Sequence, residues 1–101
     1  MLKASQPHDF SYLIDALKDP QSVAEYLAEV LKDNDMDLFK QALNNVAKAQ
    51  GGYTELAKKT GLNRQSLYRA LSKNGDPKLS TLTRVLPAFG VSLKIETLKA
   101  A

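Results

Sequence analysis

The chain has 101 residues, enough for one domain and too few for two separate cores. A hydrophobic content of 44% suits a globular fold and argues against a disordered chain, while the lack of cysteine excludes disulfides and thiolate metal sites. No stretch is apolar enough for a signal peptide or a membrane span, so a soluble cytoplasmic protein is expected.

The net charge of +3 becomes informative once it is divided along the chain. Residues 1–50 carry five Lys/Arg against eight Asp/Glu, a net of −3; residues 51–101 carry nine against three, a net of +6. Most of the excess lies between Lys58 and Arg84, where Asp76 is the only acid. A sign change at one boundary points to a half that faces a polyanion and a half employed differently.

Residues 1–18 read as an N-terminal arm, within which SYLIDAL could form a short helix. Asp19-Pro20 is a helix start: Asp serves as N-cap, and Pro occupies the first helical position, where its missing N–H costs nothing. Val23, Tyr26, Leu27, Val30 and Leu31 then follow the spacing of one helical face. Asp33-Asn34-Asp35 breaks that pattern and offers the next N-cap. A second face follows in Phe39, Ala42, Leu43, Val46 and Ala47, and Gly51-Gly52 ends it, so residues 19–50 form an acidic helical half. Residues 53–90 continue with a short helix, a turn at Gly61, a second helix from about Asn63 to Ser72, and the loop KNGDPK. Ser80 or a neighbour caps a further helix with Leu82, Val85, Leu86 and Phe89 inward, which Pro87 should kink or end. Residues 91–98 begin VSLKIE, whose alternation predicts a half-buried strand. The expected fold is mainly α, with five or six short helices and one C-terminal β-strand.

The segment ELAKKTGLNRQSLYRAL meets the three demands of a helix-turn-helix. Two closely crossing helices need a small residue at the crossing, the turn needs one that tolerates positive φ, and the second helix needs an aliphatic residue to pack back. Ala57, Gly61 and Leu67 supply these at the right spacing, with Leu56, Leu62 and Leu71 in support. Asn63, Arg64, Gln65, Tyr68 and Arg69 then fall on the outer face and N-terminal end of the second helix. In this motif that end enters the DNA major groove, and these side chain types can read base edges. Thr54, Ser66 and Ser80 carry hydroxyls, and Lys73 and Lys78 carry charges, suited to phosphate oxygens.

The stretch from Tyr53 to Leu93, YTELAKKTGLNRQSLYRALSKNGDPKLSTLTRVLPAFGVSL, resembles the helix-turn-helix domain of the HigA-like addiction-module antidote (antitoxin) proteins, within the wider Cro/repressor-type class. DPQSVAEYLAEVLKDNDMDLFKQALNNVAKAQG is similar to the two helices preceding the motif in that family. The resemblance implies a type II toxin-antitoxin module whose antitoxin represses its own operon and neutralises a small toxin of the RelE/ParE type. A cationic toxin would be drawn to the acidic half, which nominates Glu25 and Glu29, with Phe10 and Tyr12 of the arm, as its binding side. A single reading helix covers few base pairs, so a homodimer on a palindromic double-stranded operator is expected, with Val91, Leu93 and Ile95 of the tail as the joint.

Enzymatic readings are poorly supported. His8, the only histidine, stands beside Asp9 in the arm with nothing to fix a catalytic geometry. Too few His or Cys exist for zinc, no acidic motif suits a divalent metal, and Gly51-Gly52 lacks the downstream residues of a phosphate loop, so neither metal nor cofactor is expected. The alternatives to an antitoxin are a Cro-like or phage-type transcriptional regulator without a toxin partner, and a protein-interaction module that no longer binds DNA.

Overall fold

The computed structural model describes residues 11–99, which form six helices. Helix α1 spans Ser11–Ala16, α2 Pro20–Lys32, α3 Met36–Ala49, α4 Gly52–Thr60, α5 Arg64–Ala70 and α6 Leu79–Ala88. Residues 11–17, grouped with the arm on sequence, supply a helix and, in Leu17, a fully buried core residue.

Both expected acidic caps form. Asp19 accepts the N–H of Ser22 at 3.1 Å, and Asp35 accepts those of Asp37 and Leu38 at 3.0 and 3.2 Å, satisfying donors that the first helical turn leaves orphaned. In α2 the apolar spacing buries Val23 and Leu27, while Leu31 in the last turn stays exposed. In α3 the whole predicted face is buried, and α1, α2 and α4 all pack on this helix. Helix α4 also packs against α5 and α6, and Leu56, Leu67, Leu71, Val85, Leu86 and Phe89 complete one continuous core.

Two polar side chains join the ends of this assembly. The Gln50 amide donates to the carbonyls of Leu17 and Phe89 at 3.0 and 3.3 Å, tying the ends of α1 and α6 to the end of α3. Lys40 is buried and donates to the carbonyls of Lys73 and Gly75 at 2.9 and 2.6 Å, with the Asp37 carboxylate at 3.4 Å. A buried ammonium is tolerable only with such acceptors around it.

Lys78 holds the N-cap position of α6 without a side-chain cap bond, and Ser80 lies in the first turn. One expectation needs correction. No strand exists among the described residues: 91–99 leave α6 without regular structure, because a strand requires a ladder partner that residues 11–90, all helix and loop, do not offer. Pro87 acts as expected, since α6 stops one residue beyond it. The exit is fixed by Gly90 N–H to Pro87 O at 2.9 Å and Val91 N–H to Leu86 O at 3.0 Å, the paired bonds of a Schellman closure.

Gly75 is required by close approach. A Cβ there would stand 2.0 Å from the carbonyl oxygen of Arg69 and 2.5 Å from that of Ala70. Gly75→Ala should therefore displace the loop from the end of α5 and from Lys40, at a cost of about 1–3 kcal/mol, the usual range for overpacking. Urea denaturation checks this: an unchanged midpoint would show that the loop yields freely.

Candidate nucleic-acid interface

Helices α4 and α5 are joined by three residues, 61–63, and each contributes to a tight reversal. Gly61 closes α4 at φ 73°, its N–H bonded to the Ala57 carbonyl at 2.9 Å. The Thr60 hydroxyl donates to the Leu56 carbonyl at 2.8 Å and accepts the N–H of Leu62 at 3.2 Å. Ala57 is partly buried against the core and Leu67 fully buried. Asn63 caps α5, its side-chain oxygen accepting the N–H of Ser66 at 2.9 Å. A bidentate pair with adenine uses both the oxygen and the nitrogen of an amide, and the oxygen has a second lone pair with which to accept while the cap holds.

The remaining base-reading candidates come together. Arg64, Gln65, Tyr68 and Arg69 of α5 line an open recess of about 530 Å³, closed on its other side by Gly51, Gly52, Tyr53 and Thr54 at the start of α4. No side chain caps the N-terminus of α4, so its first peptide N–H groups, with the positive end of the helix dipole, accompany the two guanidinium groups. That combination suits a phosphate oxygen beside a base edge. Ser66, Lys73, Lys78 and Ser80 are exposed and lie outside this recess; Lys73 and Tyr68 both line a second one, about 480 Å³, between α3 and the end of α5. Tyr68, 61% exposed, is thus the ridge between two depressions.

Position also sorts the seven cations between Lys58 and Arg84. Lys58 and Lys59 sit in the last turn of α4, and Arg84 donates to the Thr60 carbonyl at 3.3 Å, so all three answer the negative end of that helix. Arg64, Arg69, Lys73 and Lys78 remain for an outside anion. Among residues named for a partner protein, Tyr12 is exposed on α1, and Glu25 and Glu29 are exposed on α2. Glu25 accepts from Gln21 and Glu29 pairs with Lys32, both at the surface. Phe10 lies outside the described residues.

Tyr53 went unremarked as a site residue in the sequence. Its ring meets that of Tyr68 edge-on, with centroids 5.3 Å apart and planes at 77°, and its hydroxyl donates to the Asn44 side-chain oxygen. A residue of α3 thereby orients the exposed ring on α5 through one intermediary. Lys40, also of α3, holds the loop that carries Lys73. Neither role has a local signal, because each joins positions far apart in sequence or on opposite sides of a helix break.

Burial, and secondarily the charge of Tyr68, pushes the Tyr53 hydroxyl from an ordinary 10.0 up to about 12. The fold keeps this proton after the unfolded chain has lost it. The resulting stability is intact below about pH 10 and is lost as pH rises toward about 12. In an alkaline titration followed by tyrosinate absorbance, Tyr53→Phe should remove the last component to ionise. A late component that survives the substitution would assign it elsewhere.

No helix among the described residues is long and apolar enough to cross a membrane. The chain is 29% identical over 80 residues to a Haemophilus influenzae protein described as uncharacterized, a match covering 79% of this chain and 81% of that one. No solved structure gives a significant match. Residues 7–97 match a family model described as "Probable addiction module antidote protein", which spans nearly the whole chain. The chain belongs to this family of addiction module antidote proteins.

Proposed function

We propose that this antidote is a sequence-specific DNA-binding antitoxin of a type II module. In this reading α4, residues 61–63 and α5 act as a Cro/repressor-type helix-turn-helix, with the N-terminal end of α5 in the major groove. The observation that carries it is the recess where Arg64, Gln65, Tyr68, Arg69 and Thr54 converge beside the uncapped N-terminus of α4. Two such units, joined through Val91, Leu93 and Ile95, would occupy a palindromic operator upstream of the protein's own gene and repress it. Thr54 and Ser66, with Lys73, Lys78 and Ser80 beyond α5, would hold phosphates, and Asn63, which also caps α5, would join the base readers.

An antidote implies a toxin, and we assign that role to a small cationic protein of the RelE/ParE type. The acidic α2 face bearing Glu25 and Glu29 supports this, since both carboxylates are exposed four residues apart while Val23 and Leu27 turn inward. Tyr12, and Phe10 of the preceding segment, would complete the toxin-binding side.

The first test is equilibrium binding to the upstream region across a salt series. A dimer offering four cations per subunit should lose affinity with a log–log slope of roughly −4 to −7. Arg64→Ala should relax preference at one base pair per half-site, at about 1–3 kcal/mol each if Arg64 pairs with guanine. Lys78→Ala should weaken all sequences alike and flatten the slope by about one unit per subunit. Equal affinity for the upstream region and a scrambled duplex would reject the proposal.

The toxin side has its own test. Reversing Glu25 and Glu29 to Lys should weaken capture of the neighbouring gene's product about tenfold at low salt, with little loss of fold because both lie at the surface. Undiminished capture would remove the electrostatic part of the assignment.

A further inference from the structure

The tail beyond Gly90 presents apolar side chains where nothing in residues 11–90 covers them. Leu93 is 47% exposed and Ile95 98%. Val91, by contrast, is anchored by its bond to Leu86 and half-buried against the core, so the tail leaves the body in a defined direction. At its root it borders an open recess of about 570 Å³ whose walls include Pro20, Ala24 and Pro87. An incoming strand would meet apolar surface there. Along the tail, Val91, Leu93 and Ile95 alternate with Ser92, Lys94 and Glu96, the pattern of a strand with one face meant for burial.

We infer that the occupant is the same tail of a second copy, paired antiparallel with Ile95 opposite Ile95 on the two-fold axis. The inference rests on the dimeric reading above and adds the antiparallel pairing of the tails and its register. Residues directly opposite in an antiparallel pair point to the same side, so only registers that match odd with odd positions keep the apolar residues on one face. Centring on Ile95 places Lys94 opposite Glu96 twice, once on each side of the axis, and Leu93 opposite Thr97. The neighbouring permitted registers centre on Lys94 or on Glu96 and set like charges face to face, which is destabilising. A register centred on Leu93 avoids that repulsion but overlaps only residues 91–95 and leaves Lys94 and Glu96 without opposite charges. Charge and alternation together select one arrangement.

A heterologous partner could add a strand to the same edge, but it would have no reason to find Lys94 and Glu96 spaced for mutual pairing about one residue. A two-fold axis through Ile95 explains that spacing, because one segment then supplies both halves of the interface.

Because the chain contains no cysteine, single substitutions report the register directly. Ile95→Cys should form an intermolecular disulfide under mild oxidation, since directly opposed residues lie within disulfide reach. Leu93→Cys, on the same face, should stay reduced, because the two copies would be roughly 14 Å apart. Sedimentation supplies the second arm. Lys94→Glu or Glu96→Lys alone should weaken the dimer about tenfold, and the double exchange should restore it. Lys94 and Glu96 are both exposed, so circular dichroism should be unchanged. Cross-linking through Leu93→Cys, or failure of the double exchange to rescue, would overturn the register. A protein truncated after Gly90 that still sediments as a dimer would overturn the tail as the joint while leaving a dimeric DNA-binding antitoxin intact. A full-length chain that is monomeric at every concentration would overturn both.

Discussion

Helix α3 carries an apolar surface too broad for any single neighbour to cover, and the other helices are arranged by that requirement. Phe39, Ala42, Leu43, Val46, Ala47 and Ala49 are all buried, and α1, α2 and α4 each cover part of the helix. Complete burial of a residue such as Leu43 or Val46 is worth about 1.5–3 kcal/mol, several times the contribution of any surface ion pair in the molecule. Polar side chains then fix each end. Lys40 near the start reaches the loop after α5, and Gln50 at the end reaches the last carbonyls of α1 and α6.

This arrangement gives α3 two employments. Its buried face organises the core, and its flank sets the geometry of α5 through Asn44, Tyr53 and Tyr68 and of the following loop through Lys40. The acidic half is therefore mechanically continuous with the basic half, although their charges are opposite. A partner seated near Asp35 and Asp37 would lie beside the same recess that Tyr68 and Lys73 border. The polar groups involved are satisfied: among the described residues no buried side-chain nitrogen or oxygen lacks a hydrogen-bond partner.

Much of the fold was legible because its signals are local. Asp19-Pro20 and Asp35 mark helix starts through bonds to residues two or three positions away, and the α3 face follows from spacing alone. The clustering of Arg64, Gln65, Tyr68 and Arg69 likewise follows from their spacing along one face of the helix. What escaped depends on distant partners. Lys40 reads as one more surface charge until residues 73–75 fold over it, and Tyr53 acquires its role only when α3 and α5 flank it. Asn63 reads in sequence only as a base reader, and its role as the cap of α5 appears once the bond from the Ser66 N–H is seen. Arg84 counted toward the basic stretch but lies against the end of α4. The tail reads as a strand from alternation, yet a strand needs a second strand, and residues 11–90 supply none.

The chemistry proposed for the antidote turns on one placement, the N-terminal end of α5 within the major groove, where guanine N7 is exposed and adenine N3 is not. Dimethyl sulfate modifies both atoms, so protection of the upstream DNA distinguishes the grooves in one experiment. The expected result is two clusters of protected guanine N7 about one helical turn apart, with adenine N3 still reactive between them. Protection confined to adenine N3, or none at either atom despite tight binding, would contradict that placement.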